Sequence, residues 1–189
     1  MKGKIWIVLG VILAVIVLLI APIVGGYNSL VSLQTAVESK QATIQTQLQR
    51  RADLIPNFVA TVKGYSDYEQ STLQAVTEAR AAVGQAANPA QQAQASDQLD
   101  RAISVWVNAV TEAYPDLKAN AQYVALQDEL AGTENRVAQA RNDYNETVQK
   151  YNTTIRQFPK NILAGLFGFE KADFFQAGAG AEQVPTVSF

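Results

Sequence analysis

Few residues of this chain could do chemistry, because its 189 residues include neither histidine nor cysteine. Their absence excludes Ser-His-Asp and Cys-His nucleophile systems, thiolate zinc sites and histidine-ligated metals. It also excludes the carboxylate di-iron site of four-helix bundles, which needs Glu-x-x-His pairs. No phosphate-binding glycine loop follows a strand. We therefore expect no cofactor and no bound metal.

Two pairs of neighbouring carboxylates remain, Asp67/Glu69 and Asp128/Glu129. Paired carboxylates can act as general acid and base when they flank a scissile bond. Their polar, helix-forming surroundings favour solvated helix faces instead, so we predict that the protein is not an enzyme. A hydrolase that uses carboxylates alone stays open as a hypothesis, and it would need a concave acidic pocket with a raised carboxyl pKa.

The element that comes before these residues is a long apolar run, Ile5 to Val24, which carries no charge. At 1.5 Å per residue its helix is about 30 Å long, the thickness of a bilayer's hydrocarbon core. A buried helix of a soluble protein usually keeps a polar face, and this run has none. We predict a transmembrane signal anchor and a short joint at residues 1–26, with these anchoring side chains among others: Ile5, Trp6, Ile12, Val15 and Leu19.

A removable signal peptide is the nearest alternative for this run. Signal peptides have apolar cores of about 7–15 residues, followed by small residues at the cleavage site. The run is longer than that, and a cut after Ala21 would leave Pro22 at the new terminus. We favour the uncleaved anchor, whose partner is the lipid bilayer.

Orientation follows from the positive charges around the span. Lys2, Lys4 and the amino terminus precede it, whereas Lys40 is the first positive charge after it. The positive-inside rule then predicts a cytoplasmic N-terminus and a domain on the other side, with a cytoplasmic domain as the alternative. Setting those two lysines aside leaves 13 of the 15 Lys and Arg against 17 Asp and Glu, a net charge of −4. We expect no nucleic-acid partner for such a domain.

Apolar residues over 27–158 recur three and four positions apart, the spacing of one helix face. No strand-like alternation appears. We predict an all-α fold in which the transmembrane helix is followed by an elongated antiparallel bundle of three or four helices.

Proline divides this bundle. Pro56 predicts a break or a sharp kink in the first helix, Asn88-Pro89 predicts the N-cap and first residue of another, and Tyr114-Pro115 predicts its end. The last helix is predicted to run to Phe158, directly before Pro159. In that helix Tyr144-Asn145 recurs one heptad later as Tyr151-Asn152, which favours ordinary bundle packing of the tyrosines.

The composition changes after this helix, since five of the chain's seven phenylalanines lie within residues 158–175. We predict a C-terminal flap at 159–176 whose aromatic residues close one end of the bundle. A patch that touches a membrane or a partner is the alternative. Residues 177–189 are predicted to form a disordered tail. Candidates for an interface or for bundle closure are Trp106, Tyr144, Tyr151, Phe158, Phe167, Phe169 and Phe174.

Several blocks of the sequence together resemble the LemA family. They are Tyr27-Asn28, Arg50 to Asn57 (RRADLIPN), Val62 to Tyr65, Glu134 to Asn145, Tyr151-Asn152, Phe158-Pro159, and Phe167-Gly168-Phe169 with Phe174. The resemblance implies a bacterial inner-membrane protein with one N-terminal span, a helical bundle and no established catalytic residues. Family members are often described with the domain inside, whereas Lys2 and Lys4 favour the reverse.

Together these features predict a non-enzymatic, membrane-anchored scaffold or adaptor of the bacterial envelope that self-associates through its bundle. Confinement to a membrane would raise the effective concentration for such assembly. A regulatory subunit that binds an envelope protease or transporter with fixed stoichiometry is the alternative.

Overall fold

The structure is a computed structural model that describes residues 2–63 and 70–176. This part of the chain is helical, with no strand. Its elements are α1 (Lys2–Lys63), α2 (Gln70–Gln85), α3 (Pro89–Ala113), a 3-10 turn (Pro115–Ala119), α4 (Ala121–Thr154) and α5 (Lys160–Phe167). The predicted all-α fold is confirmed. The predicted tail and the pair Asp67/Glu69 lie outside the described residues.

The chain forms two compact units. We call the first the anchor unit, Met1–Ser39 with Glu146–Ala172, and the second the bundle unit, Lys40–Asn145 with Asp173–Phe189. Among the described helices, α1 is long and apolar enough to cross a membrane, and none of its apolar window is buried.

Helix α1 is continuous from the apolar run to Lys63. Of the break or sharp kink predicted at Pro56, the break is therefore wrong, and the joint expected after Val24 is helical as well. Proline in a helix interior costs about 3 kcal/mol. Ile55 and Phe58, on either side of Pro56, are both buried in one core, so packing on this face compensates for that cost.

The caps of α3 follow the sequence signals. Asn88 is the N-cap, its side chain accepts a hydrogen bond from the Gln91 N–H, and Pro89 begins the helix. Tyr114 ends α3 before Pro115. Both predictions made from these prolines are confirmed. The last helix is shorter than predicted, because α4 ends at Thr154 and turns occupy the residues up to Pro159.

The core of the bundle unit lies between α1, α2, α3, the 3-10 turn and α4. At its centre the Phe58 ring lies 5.0 Å from the Trp106 ring and 5.0 Å from the Tyr123 ring. Tyr123 is fully buried, and its hydroxyl shares a 2.8 Å hydrogen bond with the Thr111 hydroxyl. The other buried members of this core are Ile55, Val62, Val76, Ala79, Leu99, Ile103, Val110, Leu117 and Leu130.

Ion pairs show how the bundle helices run. Lys40 and Arg50 on α1 pair with Asp143 and Glu129 on α4, both at 2.9 Å. Because the residue numbers rise on one helix and fall on the other, α1 and α4 are antiparallel. The bundle unit holds the second part of α1, helices α2 and α3, and the first part of α4 up to Asn145.

Candidate functional site

After α5 the chain runs extended along α4, and we call residues 169–176 the C-terminal strap. In the anchor unit, Asn152 binds the backbone of Ala172 twice. Its Oδ1 accepts from the Ala172 N–H at 2.9 Å, and its Nδ2 donates to the Ala172 carbonyl at 2.8 Å. One side-chain amide thus satisfies both polar groups of one strap residue.

The bundle unit repeats this arrangement seven residues earlier on α4. Asn145 accepts from the Phe175 N–H at 2.8 Å and donates to the Phe175 carbonyl at 3.0 Å. The Tyr144 hydroxyl donates to the Asp173 carbonyl at 2.8 Å, and the Arg141 guanidinium lies 4.9 Å from the centre of the Phe175 ring. Burial, with the Asp173 charge beside it, raises the pKa of Tyr144, which keeps this hydroxyl protonated as a donor.

The Tyr-Asn pair that recurs one heptad apart on α4 therefore has a specific structural role. Its tyrosines, Tyr144 and Tyr151, are buried on the seam of α4, and its asparagines bind an extended polypeptide segment. The sequence contained the signal, a polar residue beside each seam tyrosine one heptad apart. The sequence analysis considered the packing of the tyrosine rings and did not predict a role for the asparagine side chains.

The other predicted site residues lie in different surroundings. Trp106 is buried in the core, Phe158 is 81% exposed, and Phe174 is 45% exposed. Phe167 and Phe169 both contact the Tyr27 ring, with centroids 4.8 and 5.8 Å away. The predicted anchor residues whose side chains are described, Trp6, Ile12, Val15 and Leu19, are all exposed on α1. Ile5 lies in the same helix, and its side chain is outside the described part.

The bundle unit carries a cleft of about 830 Å³ between α1, the end of α2 and the start of α3. We call it the amide cleft, because side-chain amides recur among its polar lining residues: Gln45, Thr46, Gln49, Arg50, Asp53, Asn57 and Gln92. Leu48, Leu54 and Val83 supply apolar surface. This lining combines hydrogen-bond donors and acceptors with two charged side chains, Arg50 and Asp53.

Gln92 is the unusual member of this lining. It is 1% exposed, and neither its Nε2 nor its Oε1 has a hydrogen-bond partner among the described residues. The hydroxyl of Ser96, one turn further along α3, is buried and unpartnered in the same way. Buried polar groups without partners are rare in folded proteins, and each one costs stability. Gln92 is therefore an unsatisfied polar side chain in the wall of this cleft.

A second cleft of the bundle unit, about 260 Å³, is lined by Arg51, Asp100 and Glu134 among others. Burial raises the pKa of Asp100, and the charges of Arg51 and Arg141 oppose that rise. The Arg51 guanidinium lies 2.7 Å from Asp100 and 3.2 Å from Glu134. Both carboxylates thus compensate the charge of one buried cation.

The remaining carboxylates offer no better catalytic arrangement in the part of the chain that the structure describes. Glu129, one of the predicted pair, binds Arg50 at 2.9 Å and Arg136 at 2.8 Å, while Asp128 is exposed. No group of three or more Asp or Glu side chains is placed to hold a metal ion in the same residues.

Comparison with known proteins places these features in a wider group. The LemA family model matches residues 40–189. Two proteins of Paramagnetospirillum magneticum, Magnetosome protein MamQ 1 and Magnetosome protein MamQ 2, are each 25% identical over 186 residues, covering 85% of this chain and 68% of the relative. Protein LemA of Metamycoplasma hominis is 26% identical over 155 residues, covering 82% of this chain and 70% of its own length.

Proposed function

The chain belongs to the LemA family, and from this premise we propose that it is a non-enzymatic, membrane-anchored scaffold or adaptor that assembles with polypeptide chains. The apolar N-terminal helix and the relatives already indicate a membrane protein, and the names of those relatives are not names of enzymes.

The observation that carries the proposal is the buried, unpartnered amide of Gln92 in an open polar cleft. The chain itself shows how its side-chain amides bind a polypeptide, since Asn145 and Asn152 each pair with one extended backbone residue. Gln92 has the same donor and acceptor. A peptide segment that enters the amide cleft and displaces the side chains covering Gln92 would satisfy both.

Self-association is the first mode of assembly that we propose. A segment of a second copy entering the amide cleft would make a head-to-tail contact, which forms rings or filaments when it repeats. Anchoring in one membrane raises the effective concentration of such copies. The two magnetosome relatives fit a role in organising an envelope membrane, and we extend that role to this chain by analogy.

We further propose that the protein resides in the inner membrane of a bacterium with its bundle unit on the periplasmic side. Lys2 and Lys4 before the span support this orientation under the positive-inside rule. The cytoplasmic side is the alternative.

A regulatory subunit for an envelope protease or transporter is the competing function, and it would use the same cleft for one foreign segment. The mass of the intact protein in a mild detergent separates the two. Self-association predicts a mass several times that of the 20.5 kDa chain, rising with protein concentration. A monomer that gains mass only when membrane extract is added would favour the subunit.

A further inference from the structure

Helix α5 packs on α1 directly after the end of the apolar run, within the anchor unit. A Cβ at Gly26 would meet the Leu163 side chain at 2.5 Å, so no larger residue fits there without movement. The Lys160 ammonium donates to the Ser29 hydroxyl at 2.9 Å, and the Phe167 ring contacts the Tyr27 ring edge to face. These contacts hold α5 beside residues 26–29, the first turn after Val24.

The other face of α5 is apolar and exposed. Phe158 stands in the turn just before the helix, and Ile162 and Leu166, four residues apart, share one side of α5. They are 81%, 59% and 73% exposed, whereas Ala164, on the face toward α1, is buried. Exposed apolar residues that stand together in this way mark a surface that contacts something other than water.

The position of this stripe indicates what it contacts. Trp6 and Tyr27 are 21 residues apart on α1, which is about 30 Å at 1.5 Å per residue, the thickness of a hydrocarbon core. Aromatic residues with a polar edge are typical of the two membrane–water boundaries. Since α5 packs against Tyr27, it lies beside the end of the exposed apolar run.

We propose that α5 is a second membrane contact, an interfacial helix whose Phe158, Ile162 and Leu166 side chains insert into the boundary between headgroups and acyl chains. Amphipathic helices bind membranes through such apolar stripes. The ligand is the lipid bilayer itself. The transmembrane helix α1 and the interfacial helix α5 together fix the depth of the anchor unit in the bilayer. This inference goes beyond the proposed function, because it holds whether or not the bundle unit assembles with other chains.

The natural absence of cysteine allows a direct test in the full-length chain. Single substitutions Ile162→Cys and Leu166→Cys would each carry a nitroxide label, in protein reconstituted into phosphatidylcholine vesicles. Leu13→Cys in the span and Gln34→Cys beyond it calibrate lipid and water, because both residues are exposed on α1. All four sites are exposed, so folding should survive, and circular dichroism with melting curves checks that it does.

The readout is the label's collision with oxygen, which dissolves in lipid, and with a nickel chelate, which stays in water. We expect the labels on α5 to behave like the label at Leu13. Compared with the label at Gln34, they should collide more often with oxygen and less often with the nickel chelate. Labels that match Gln34 would overturn the proposal, since the stripe would then face water. Labels shielded from both agents would also overturn it, because a protein surface would then cover the stripe.

Discussion

Asn145 binds Phe175 through both atoms of its side-chain amide, accepting from the N–H at 2.8 Å and donating to the carbonyl at 3.0 Å. The helix side chain thereby does what a neighbouring strand would do for an extended segment. Asn152 does the same for Ala172 seven residues later on α4. The C-terminal strap is therefore held through its backbone at Ala172 and Phe175, and the buried Phe175 ring beside Arg141 adds a side-chain contact.

Asn145→Ala should loosen the strap at Phe175. Two hydrogen bonds of about 1 kcal/mol each are lost, so the Phe175 amide should exchange with solvent roughly 30-fold faster. Hydrogen exchange followed by mass spectrometry checks this. Asn142→Ala, an exposed asparagine on the same helix, is the matched control and should leave that amide unchanged. Equal exchange in both variants would show that the amide does not hold the strap.

Arg51→Met should destabilise the bundle unit far more than Arg50→Met. The Arg51 side chain is 3% exposed and pairs with Asp100 and Glu134, so its removal leaves a partly buried carboxylate unpaired, at a cost of about 3 kcal/mol. Arg50 is 57% exposed, and a surface pair contributes under about 1 kcal/mol. A loss of 1 kcal/mol lowers the melting temperature of a chain of this size by about 2–4 °C. Melting temperatures in detergent should therefore fall by roughly 10 °C for Arg51→Met and little for Arg50→Met. Similar falls would refute the structural role of Arg51.

Asp100 and Asp143 should affect stability with opposite pH dependence. Burial raises the pKa of Asp100 above its ordinary 3.8, so its favourable contribution exists below 3.8 and is lost as the pH rises through the folded value. The hydrogen bond from Lys40 lowers the pKa of Asp143, so its contribution exists above 3.8 and is lost as the pH falls through the lower folded value.

Melting curves of the two asparagine variants against wild type check these signs. From acid to neutral pH, the melting temperature of Asp100→Asn relative to wild type should rise, mainly above 3.8. The relative melting temperature of Asp143→Asn should fall, mainly below 3.8. Parallel slopes for the two variants would contradict this assignment.

The orientation of the bundle unit can be read with one cysteine. Asn142 is exposed on α4, so Asn142→Cys would introduce one accessible cysteine into a chain that has no other. If the bundle unit is periplasmic, a maleimide that cannot cross the inner membrane will label it in intact spheroplasts. Labelling only after lysis would place the unit in the cytoplasm and reverse the orientation inferred from Lys2 and Lys4.

The sequence predicted those features that depend on local chemistry. Asn88-Pro89 could be read as a helix start because capping and the fixed φ of proline act within a few residues. Pro56 could not be read correctly, because packing of Ile55 and Phe58 against distant helices decides whether α1 continues. The end of α4 at Thr154 was missed for a similar reason, since apolar spacing continues to Phe158 after the helix has ended.

The candidate site was less accessible to sequence reasoning. Nothing in the residues around Gln92 distinguishes it from the exposed Gln91 and Gln94 beside it. Only the meeting of α1, α2 and α3 buries its amide and leaves it without a partner. The role of Asn145 likewise required the return of the strap, a segment thirty residues later in the chain.

The most direct test of the central claim, that the amide cleft binds a polypeptide, is the detergent mass of Gln92→Met beside wild type. Removal of a buried, unpartnered amide should stabilise the chain by about 2 kcal/mol, while assembly mass falls toward the monomer because the ligand loses its partner. Gln94→Met, an exposed neighbour, should change neither quantity. A Gln92→Met protein that keeps the wild-type assembly mass, or that melts at a lower temperature than wild type, would contradict the account.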